Sequence, residues 1–305
     1  MAKSPSRVRE GLGEGVSPNE APNVTGPPPT PPAGGRGAVR AALAAATTRF
    51  AFSPTARLDA ELLMAHALGT SRSAILIDPD RYTVPETFAA LVDRRANHEP
   101  IAYITGTRGF WSIDLAVGPG ALVPRADSET LLLAAQAHFG ARTPATILDL
   151  GTGPGTLLLA ALAEWPARGL GVDVSPDALA YARANAATLG MAGRAHFLRG
   201  DWASAIDGRF DLVLANPPYI GTHEPLPAEV RDHEPHGALY AGEDGLADYR
   251  LLARQLPRLI APGGAAVVEI GATQADAVTA LFAANGLSTA LHRDLGGNPR
   301  AITAT

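Results

Sequence analysis

The sequence predicts an α/β fold in which a mostly parallel sheet, covered by helices on both faces, follows a small all-helical domain and a joining β-hairpin. Three observations carry this. From Thr143 onward, apolar runs of strand length alternate with helix-length segments, the signature of a parallel sheet. Between Ala38 and Pro100 the apolar residues recur at helical spacing. Residues 101 to 123 hold two short runs, Tyr103-Ile104-Thr105-Gly106 and Ile113-Asp114-Leu115-Ala116-Val117, flanking a turn region.

Composition sets the outer bounds. A chain of 305 residues has room for two domains, and an apolar fraction of 46% is ample for their cores. Thirty acidic residues against 25 basic ones give a formal charge of −5, which argues against a broad nucleic-acid surface. No cysteine is present, so disulfides, thiol nucleophiles and cysteine–zinc sites are excluded. No apolar run approaches membrane-spanning length and no signal-peptide core is visible, so a cytoplasmic protein without membrane partners is expected. A monomer is expected as well.

Residues 1–36 are dense in proline, glycine, serine and charge and are expected to form a disordered tail. Residues 37–100 read as the helical domain. One helix carries Leu58, Leu62, Leu63, Ala65 and Leu68 and stops at Gly69; the next is expected to start at Thr83 as N-cap, with Pro85 in its first turn. His66 reads as a residue packed at the edge of the first helix. In the hairpin linker, 101–123, Phe110 and Trp111 adjoin, and adjacent strand residues face opposite sides. Only one can face a ligand; Phe110 is the candidate substrate contact, with core packing as the alternative. In the remaining domain, 124–305, strands are expected at 146–150, 168–173, 194–199, 210–215, 264–270, 287–292 and 300–304. Helices are expected at 155–164, 175–189, 246–260 and 272–285.

Three successive strand ends carry the marks of a nucleoside-type cofactor. Ile147-Leu148-Asp149-Leu150 runs into Gly151-Thr152-Gly153-Pro154-Gly155, a turn whose glycines admit close backbone approach and which opens a helix with free amides. No Lys-Ser/Thr follows, which excludes a phosphate-cradling P-loop, and G-x-G-x-G departs from the dinucleotide pattern. The next strand ends at Asp173, placed to accept from ribose hydroxyls or to cap the following helix. The third ends at Asp201-Trp202, an acid and a ring for a base edge and face. This order matches a bound S-adenosylmethionine.

The fourth strand of this series, Phe210 to Ala215, ends in Asn216-Pro217-Pro218-Tyr219. Two prolines stiffen the turn and withhold amide hydrogens, so it is rich in carbonyl acceptors. Asn216 adds a side-chain oxygen and Tyr219 an aromatic wall. A planar –NH2 group fits such a site; the plain alternative is a stiff loop with an Asn cap. In a doubly wound sheet whose first and fourth strands adjoin, cofactor turn and tetrapeptide face each other across the crevice. Asn216 then meets both cofactor and acceptor.

Longer stretches point to a family. Leu58-Asp59-Ala60-Glu61-Leu62-Leu63, Glu99-Pro100-Ile101-Ala102-Tyr103-Ile104-Thr105-Gly106, Phe110-Trp111-Ser112 and Pro124-Arg125-Ala126-Asp127-Ser128-Glu129-Thr130 occur in order. They are followed by Asp149 to Gly155, Asn216 to Tyr219, Glu234-Pro235-His236-Gly237-Ala238-Leu239, Glu269-Ile270-Gly271 and Asp294 to Arg300. From about residue 55 to 303 the chain resembles the HemK-type (PrmC-like) N5-glutamine methyltransferases that modify peptide-chain release factors. The resemblance implies a class I S-adenosylmethionine-dependent methyltransferase fold, a Rossmann-like seven-stranded sheet, with the helical domain docking the release factor. It implies cofactor contacts from Gly151 to Gly155, Asp173, Trp202 and Asn216. It also implies that Asn216, Pro217, Pro218 and Tyr219 hold the glutamine of a Gly-Gly-Gln loop. Two positions depart from the family pattern: Pro154 removes one backbone donor from the turn, and Ala126-Asp127-Ser128 is expected to keep a helix cap at Asp127 or Ser128.

The expected reaction is therefore methylation of a glutamine side chain, with the Asn216 oxygen and the Pro217 carbonyl accepting the two amide hydrogens and Tyr219 closing the ring side. Other acceptors fit the same tetrapeptide, namely a ribosomal-protein glutamine or an exocyclic amine of nucleic acid, although the acidic balance argues against direct nucleic-acid binding. Asp232-His233-Glu234-Pro235-His236 lacks the framework of a metal site, and no metal is expected. The stretch 220–245 reads as a lid or docking loop on the substrate side.

Overall fold

A computed structural model describes residues 37–305; the tail expected over 1–36 lies outside the described residues. Five helices come first: α1 (Ala38–Arg49), α2 (Ala56–Leu68), α3 (Arg72–Ile77), α4 (Thr87–Ala96) and α5 (Ile101–Thr105). Phe50, Leu63, Met64, Ile75, Phe88 and Val92 bury their side chains in one cluster between them. Gly69 ends α2 in the left-handed conformation expected of a glycine C-cap, and His66 is exposed on the last turn.

Two expectations in this region are corrected. Helix α4 starts at Thr87, after Glu86, rather than at a Thr83 cap, so Pro85 precedes the helix instead of opening it. The segment expected as the first arm of the hairpin is instead helix α5. Pro100 sits at its N-cap position with φ −56 and ψ 136, and Gly106 closes it at φ 76. Those two residues make a short helix cheap to start and stop. The hairpin itself is narrower, β1 (Thr107–Phe110) against β2 (Ile113–Ala116), antiparallel.

The rest is α6 (Glu129–Phe139), β3 (Thr146–Leu150), α7 (Thr156–Glu164), β4 (Arg168–Asp173), α8 (Pro176–Thr188), β5 (Ala195–Arg199), β6 (Phe210–Ala215), α9 (Ala228–His233), α10 (Ala247–Leu259), β7 (Ile260–Glu269), α11 (Ala275–Ala283), β8 (Thr289–Arg293) and β9 (Pro299–Ala304). The sheet has seven strands in the order β5-β4-β3-β6-β7-β9-β8. Strands β5, β4, β3, β6 and β7 are mutually parallel, and β9 runs antiparallel to both β7 and β8.

Alternation along the strands feeds two cores. Ile147, Leu212 and Leu214 pack with Leu158, Leu159 and Leu162 of α7 and with Leu131 of α6 on one face. Leu148, Leu150 and Val213 pack with Tyr249, Leu252 and Leu256 of α10 and Phe282 of α11 on the other. Asp149 falls on the first face, yet it stands at the strand's carboxyl end and is 1% exposed. Chain order reverses between β3 and β6, which pair in parallel with Leu150 opposite Ala215. A crevice opens beyond their carboxyl ends, as it does in doubly wound sheets.

The helical layer is tied to this domain by charge. Arg95 of α4 is 3% exposed; its guanidinium donates to Asp59 Oδ2 at 2.8 and 3.0 Å and to Glu229 Oε2 of α9 at 2.9 Å. His233 at the end of α9 also bonds the Asn97 carbonyl at 3.1 Å. The segment after the tetrapeptide is thereby pinned to the helices that precede the sheet.

Candidate active site

A cavity of about 350 Å³ lies over the β3–β6 junction, within the ~300–1,000 Å³ usual for small-molecule sites. Its floor is the β3 turn. Gly151, Gly153 and Gly155 take φ of 71, 56 and 88, values that an L side chain resists. At Gly151 an added Cβ would stand in ordinary contact, 3.4 Å from the Trp202 ring and 3.8 Å from the Asn216 carbonyl oxygen. Cofactor turn, aromatic and tetrapeptide thus converge on one glycine.

The turn is held from below by two carboxylates. Asp149 Oδ2 accepts from the Thr152 hydroxyl at 2.6 Å and from the Leu158 amide at 3.2 Å. Its Oδ1 is buried at the cavity wall without a partner among the described residues. Burial pushes this carboxyl up to about 7, against the pull of those two hydrogen bonds. Asp173 accepts from Gly153 N and from Ser175 N, each at 2.8 Å, and still lines the cavity. Ser175, not Asp173, caps α8, accepting from Ala178 N at 3.2 Å.

Trp202 holds a left-handed backbone, φ 47, unusual for so large a residue. Its indole Nε1 donates to Asp248 Oδ1 of α10 at 3.1 Å. Asp201 lines the cavity next to it. Opposite stands Asn216, which lines the cavity and whose Nδ2 donates to Ser128 Oγ at 3.3 Å. Pro218 joins the wall, as do Pro235, Gly237 and Ala238 from the 220–245 loop. Glu234 anchors that loop: it is 3% exposed, bonds Arg125 and accepts from Val123 N at 3.0 Å.

Of the expected site residues, Gly151, Thr152, Gly153, Pro154, Asp173, Asp201, Trp202, Asn216 and Pro218 lie together around this cavity. Gly155 sits just behind, where an added Cβ would strike Leu159 Cδ1 at 2.8 Å. Pro217 is buried, and Tyr219 is half-buried against the core on the α10 side, its carbonyl accepting from Gln274 Nε2 at 2.9 Å. Burial pushes the Tyr219 phenol up to about 12. Phe110 is a correction: it is 2% exposed and packs in the core with Leu115 and Val117, away from the cavity. Its neighbour Trp111 occupies the hairpin turn at φ 55, so strand alternation does not govern the pair. Ser128 is a second correction. Neither it nor Asp127 caps α6 by a side-chain hydrogen bond; Ser128 turns instead toward Asn216, and Asp127 pairs with Arg300 at 3.2 Å.

Asp248 and Ser128 also belong to this neighbourhood; no local motif announces Asp248, whereas Ser128 stands in the stretch Pro124 to Thr130 that carries the family resemblance. The acidic and histidine residues of 232–236 disperse: His233 and His236 bond carbonyls while Glu234 turns inward.

Comparison with known proteins follows the same outline. Residues 41–106 match the model described as the PrmC N-terminal domain, and residues 143–288 match a methyltransferase domain. A release factor glutamine methyltransferase of Rhodospirillum rubrum is 46% identical over 258 residues, 81% of this chain and 78% of that protein. The chain belongs to the release factor glutamine methyltransferase family. Further members are similar at 45% identity, from Caulobacter vibrioides over 80% of this chain and 88% of that protein, and from Pseudomonas aeruginosa over 81% and 92%. The fold of this family member is accordingly that of an S-adenosylmethionine-dependent methyltransferase preceded by a helical region. None of its described helices is long and apolar enough to cross a membrane.

Proposed function

We propose that this protein methylates the side-chain nitrogen of the glutamine in the Gly-Gly-Gln loop of peptide-chain release factors, in the cytoplasm where translation runs. The observation that carries the reading is the position of Asn216: it lines the cavity whose floor is the glycine turn of β3, with its Nδ2 engaged by Ser128 Oγ. Family membership supplies the substrate class.

The residues present suit S-adenosylmethionine. The unpartnered Asp149 Oδ1 offers a buried oxygen acceptor to an amino-acid ammonium, the Asp173 oxygens keep lone pairs for ribose hydroxyls, and the Trp202 ring is a flat apolar wall for a base. The glycines admit the backbone approach this requires. When bound, this cofactor supplies an electrophilic methyl group on a positively charged sulfur.

An amide nitrogen is a weak nucleophile, so orientation carries much of the catalysis. Asn216 Oδ1 and the Pro217 carbonyl accept one N–H each, which fixes the glutamine amide plane and aims its nitrogen into the cavity. Alignment of this kind contributes up to about 7–11 kcal/mol when ideal. Carbonyl acceptors fixed in a dry site need no reorganisation as charge moves. Asn216 Oδ1 holds the proton that the nitrogen must give up until water takes it. The direct test is Asn216→Ala: turnover on release factor is expected to fall about 10²–10³-fold, the scale of losing one preorganised partner. Calorimetric affinity for the methyl donor falls only partly. Undiminished turnover refutes the reading.

A further inference from the structure

Helix α9 has no core of its own: none of its six residues is buried. The packing of an apolar face, which fixes most helices in proteins, therefore does not hold it. Polar bonds do, and they leave both of its ends for the end of α4 in the helical domain. At the first turn Glu229 Oε2 accepts from Arg95 Nη1 at 2.9 Å; at the last, His233 Nε2 donates to the Asn97 carbonyl at 3.1 Å. The receiving surface is stiff. Past α4 the His98 and Glu99 amides donate back to the Arg95 and Arg94 carbonyls at 2.9 and 3.3 Å. That motif usually has glycine at its left-handed position. Here His98 takes it at φ 63, and its ring meets Phe52 with centroids 4.0 Å apart. Such a turn persists only where its surroundings over-determine it.

What α9 carries is a wall of the cavity. The loop leaves the tetrapeptide and returns to it: Ile220 N donates to the Leu239 carbonyl at 3.0 Å, and Ala241 N to the Ile220 carbonyl at 2.9 Å. Inside this closed excursion Pro235, Gly237 and Ala238 line the cavity. Two bonds tie that stretch to α9. Glu234 N donates to the Val230 carbonyl at 3.1 Å, and His236 Nε2 to the Arg231 carbonyl at 2.9 Å.

We infer that Glu229 is a positioning residue: paired with Arg95 of the helical domain, it sets the wall against which the acceptor glutamine is held beside Asn216. This rests on the function proposed above. The helical domain thereby completes the catalytic site from outside the sheet. The buried Glu234 carboxylate fixes the wall at one point, through Val123 N and Arg125, while α9 fixes the direction in which the chain enters it. Without the Glu229 bond α9 loses its first pin, and the wall beyond it loses that direction. The donor's own surroundings, the β3 turn, Asp173 and Trp202, lie on other strand ends and are left as they are. The residue can be removed cleanly. A third of its side chain is exposed, and Arg95 keeps both bonds to Asp59 and one to the Glu99 carbonyl without it, so no buried charge is stranded.

The test compares the parent protein, Glu229→Ala and His233→Ala in methyl transfer from S-adenosylmethionine to purified release factor. Donor affinity is read by calorimetry, global stability by the urea midpoint, and the hold on α9 by native trypsin cleavage after the exposed Arg231. In each variant kcat is expected to fall about 10–100-fold, the scale of a misplaced reactive contact, and cleavage after Arg231 to accelerate. The KM for release factor, donor affinity and the urea midpoint are expected to stay at parental values. Parental kcat in Glu229→Ala overturns the inference, whether or not cleavage is faster. So does a lowered kcat with parental cleavage, since α9 is then still held. A raised KM alone would make α9 a docking surface, and an equal loss of donor affinity would make it part of the donor's site; either result overturns the inference. His233→Ala removes the second pin without touching an ion pair and decides should Glu229→Ala not fold. No transfer by the parent protein contradicts the proposed substrate instead, and parental cleavage in both variants then overturns the Glu229 inference on its own.

Discussion

Gly245→Ala probes how rigidly the tetrapeptide is held from behind. Gly245 is buried with φ 67, and an added Cβ would lie 2.3 Å from the Tyr219 carbonyl oxygen and 2.8 Å from Gln274 Nε2. That amide now ties the region together, donating to Tyr219 O at 2.9 Å and to Gly245 O at 3.2 Å. The left-handed backbone costs an L residue about 1–2 kcal/mol. Overpacking against fixed backbone adds about 1–3 kcal/mol, so a loss of about 2–5 kcal/mol is expected from the two together. Gly190 supplies the control, since it has a similar φ of 69 but nothing within 4 Å of an added Cβ. Gly190→Ala should cost only the backbone term, about 1–2 kcal/mol. Urea denaturation of both variants, at constant m, gives the difference directly. Because the Tyr219 carbonyl must move, Gly245→Ala should also lower kcat for methyl transfer while Gly190→Ala leaves it unchanged. Equal stabilities and equal kcat values would show that the tetrapeptide's setting is compliant and refute this reasoning.

Arg95→Ala should destabilise by about 3–5 kcal/mol, because it strands the buried Asp59 carboxylate and unpins α9; urea melts measure this. Asp149→Asn tests the raised carboxyl under the cofactor turn. Folding lifts its value from 3.8 to about 7, so the folded chain retains a proton that the unfolded chain releases. The associated stability is full at low pH and drains away as pH rises from about 4 to about 7. The carboxamide oxygen introduced by this substitution still accepts from Thr152 and Leu158, and the group does not titrate. The variant should therefore gain on the parent across that window, read from urea midpoints against pH, while binding the methyl donor more weakly. Trp202→Phe removes the Nε1 bond to Asp248 and should weaken donor binding without changing the stability from urea melts by more than about 1 kcal/mol, the net worth of one hydrogen bond.

What could be read from the chain follows from how local each cause is. The β3 turn and the tetrapeptide were legible because glycine and proline dictate backbone conformation on their own, at Gly151 and Pro217 as at Gly69. Strand order could be anticipated because alternating strand and helix leaves few topologies. Helix α5 was missed because Tyr103, Ile104 and Thr105 favour strands, and only the flanking Pro100 and Gly106 override them. Asp or Ser before a helix is usually its cap, which points to Asp127 or Ser128, yet the Ser128 hydroxyl oxygen accepts from Asn216, 88 residues away. Asp248 has no local signal: an acid in a first helical turn is commonplace, and its task exists only once α10 lies beneath Trp202.

The most direct test of the account is transfer of label from S-adenosylmethionine to purified release factor, to the same factor with its Gly-Gly-Gln changed to Gly-Gly-Ala, and to ribosomes and nucleic acid. Label on the intact factor that vanishes with the Gln→Ala change is the predicted result. Label confined to ribosomal protein or nucleic acid would contradict the proposed substrate while leaving the fold and the cofactor turn as described.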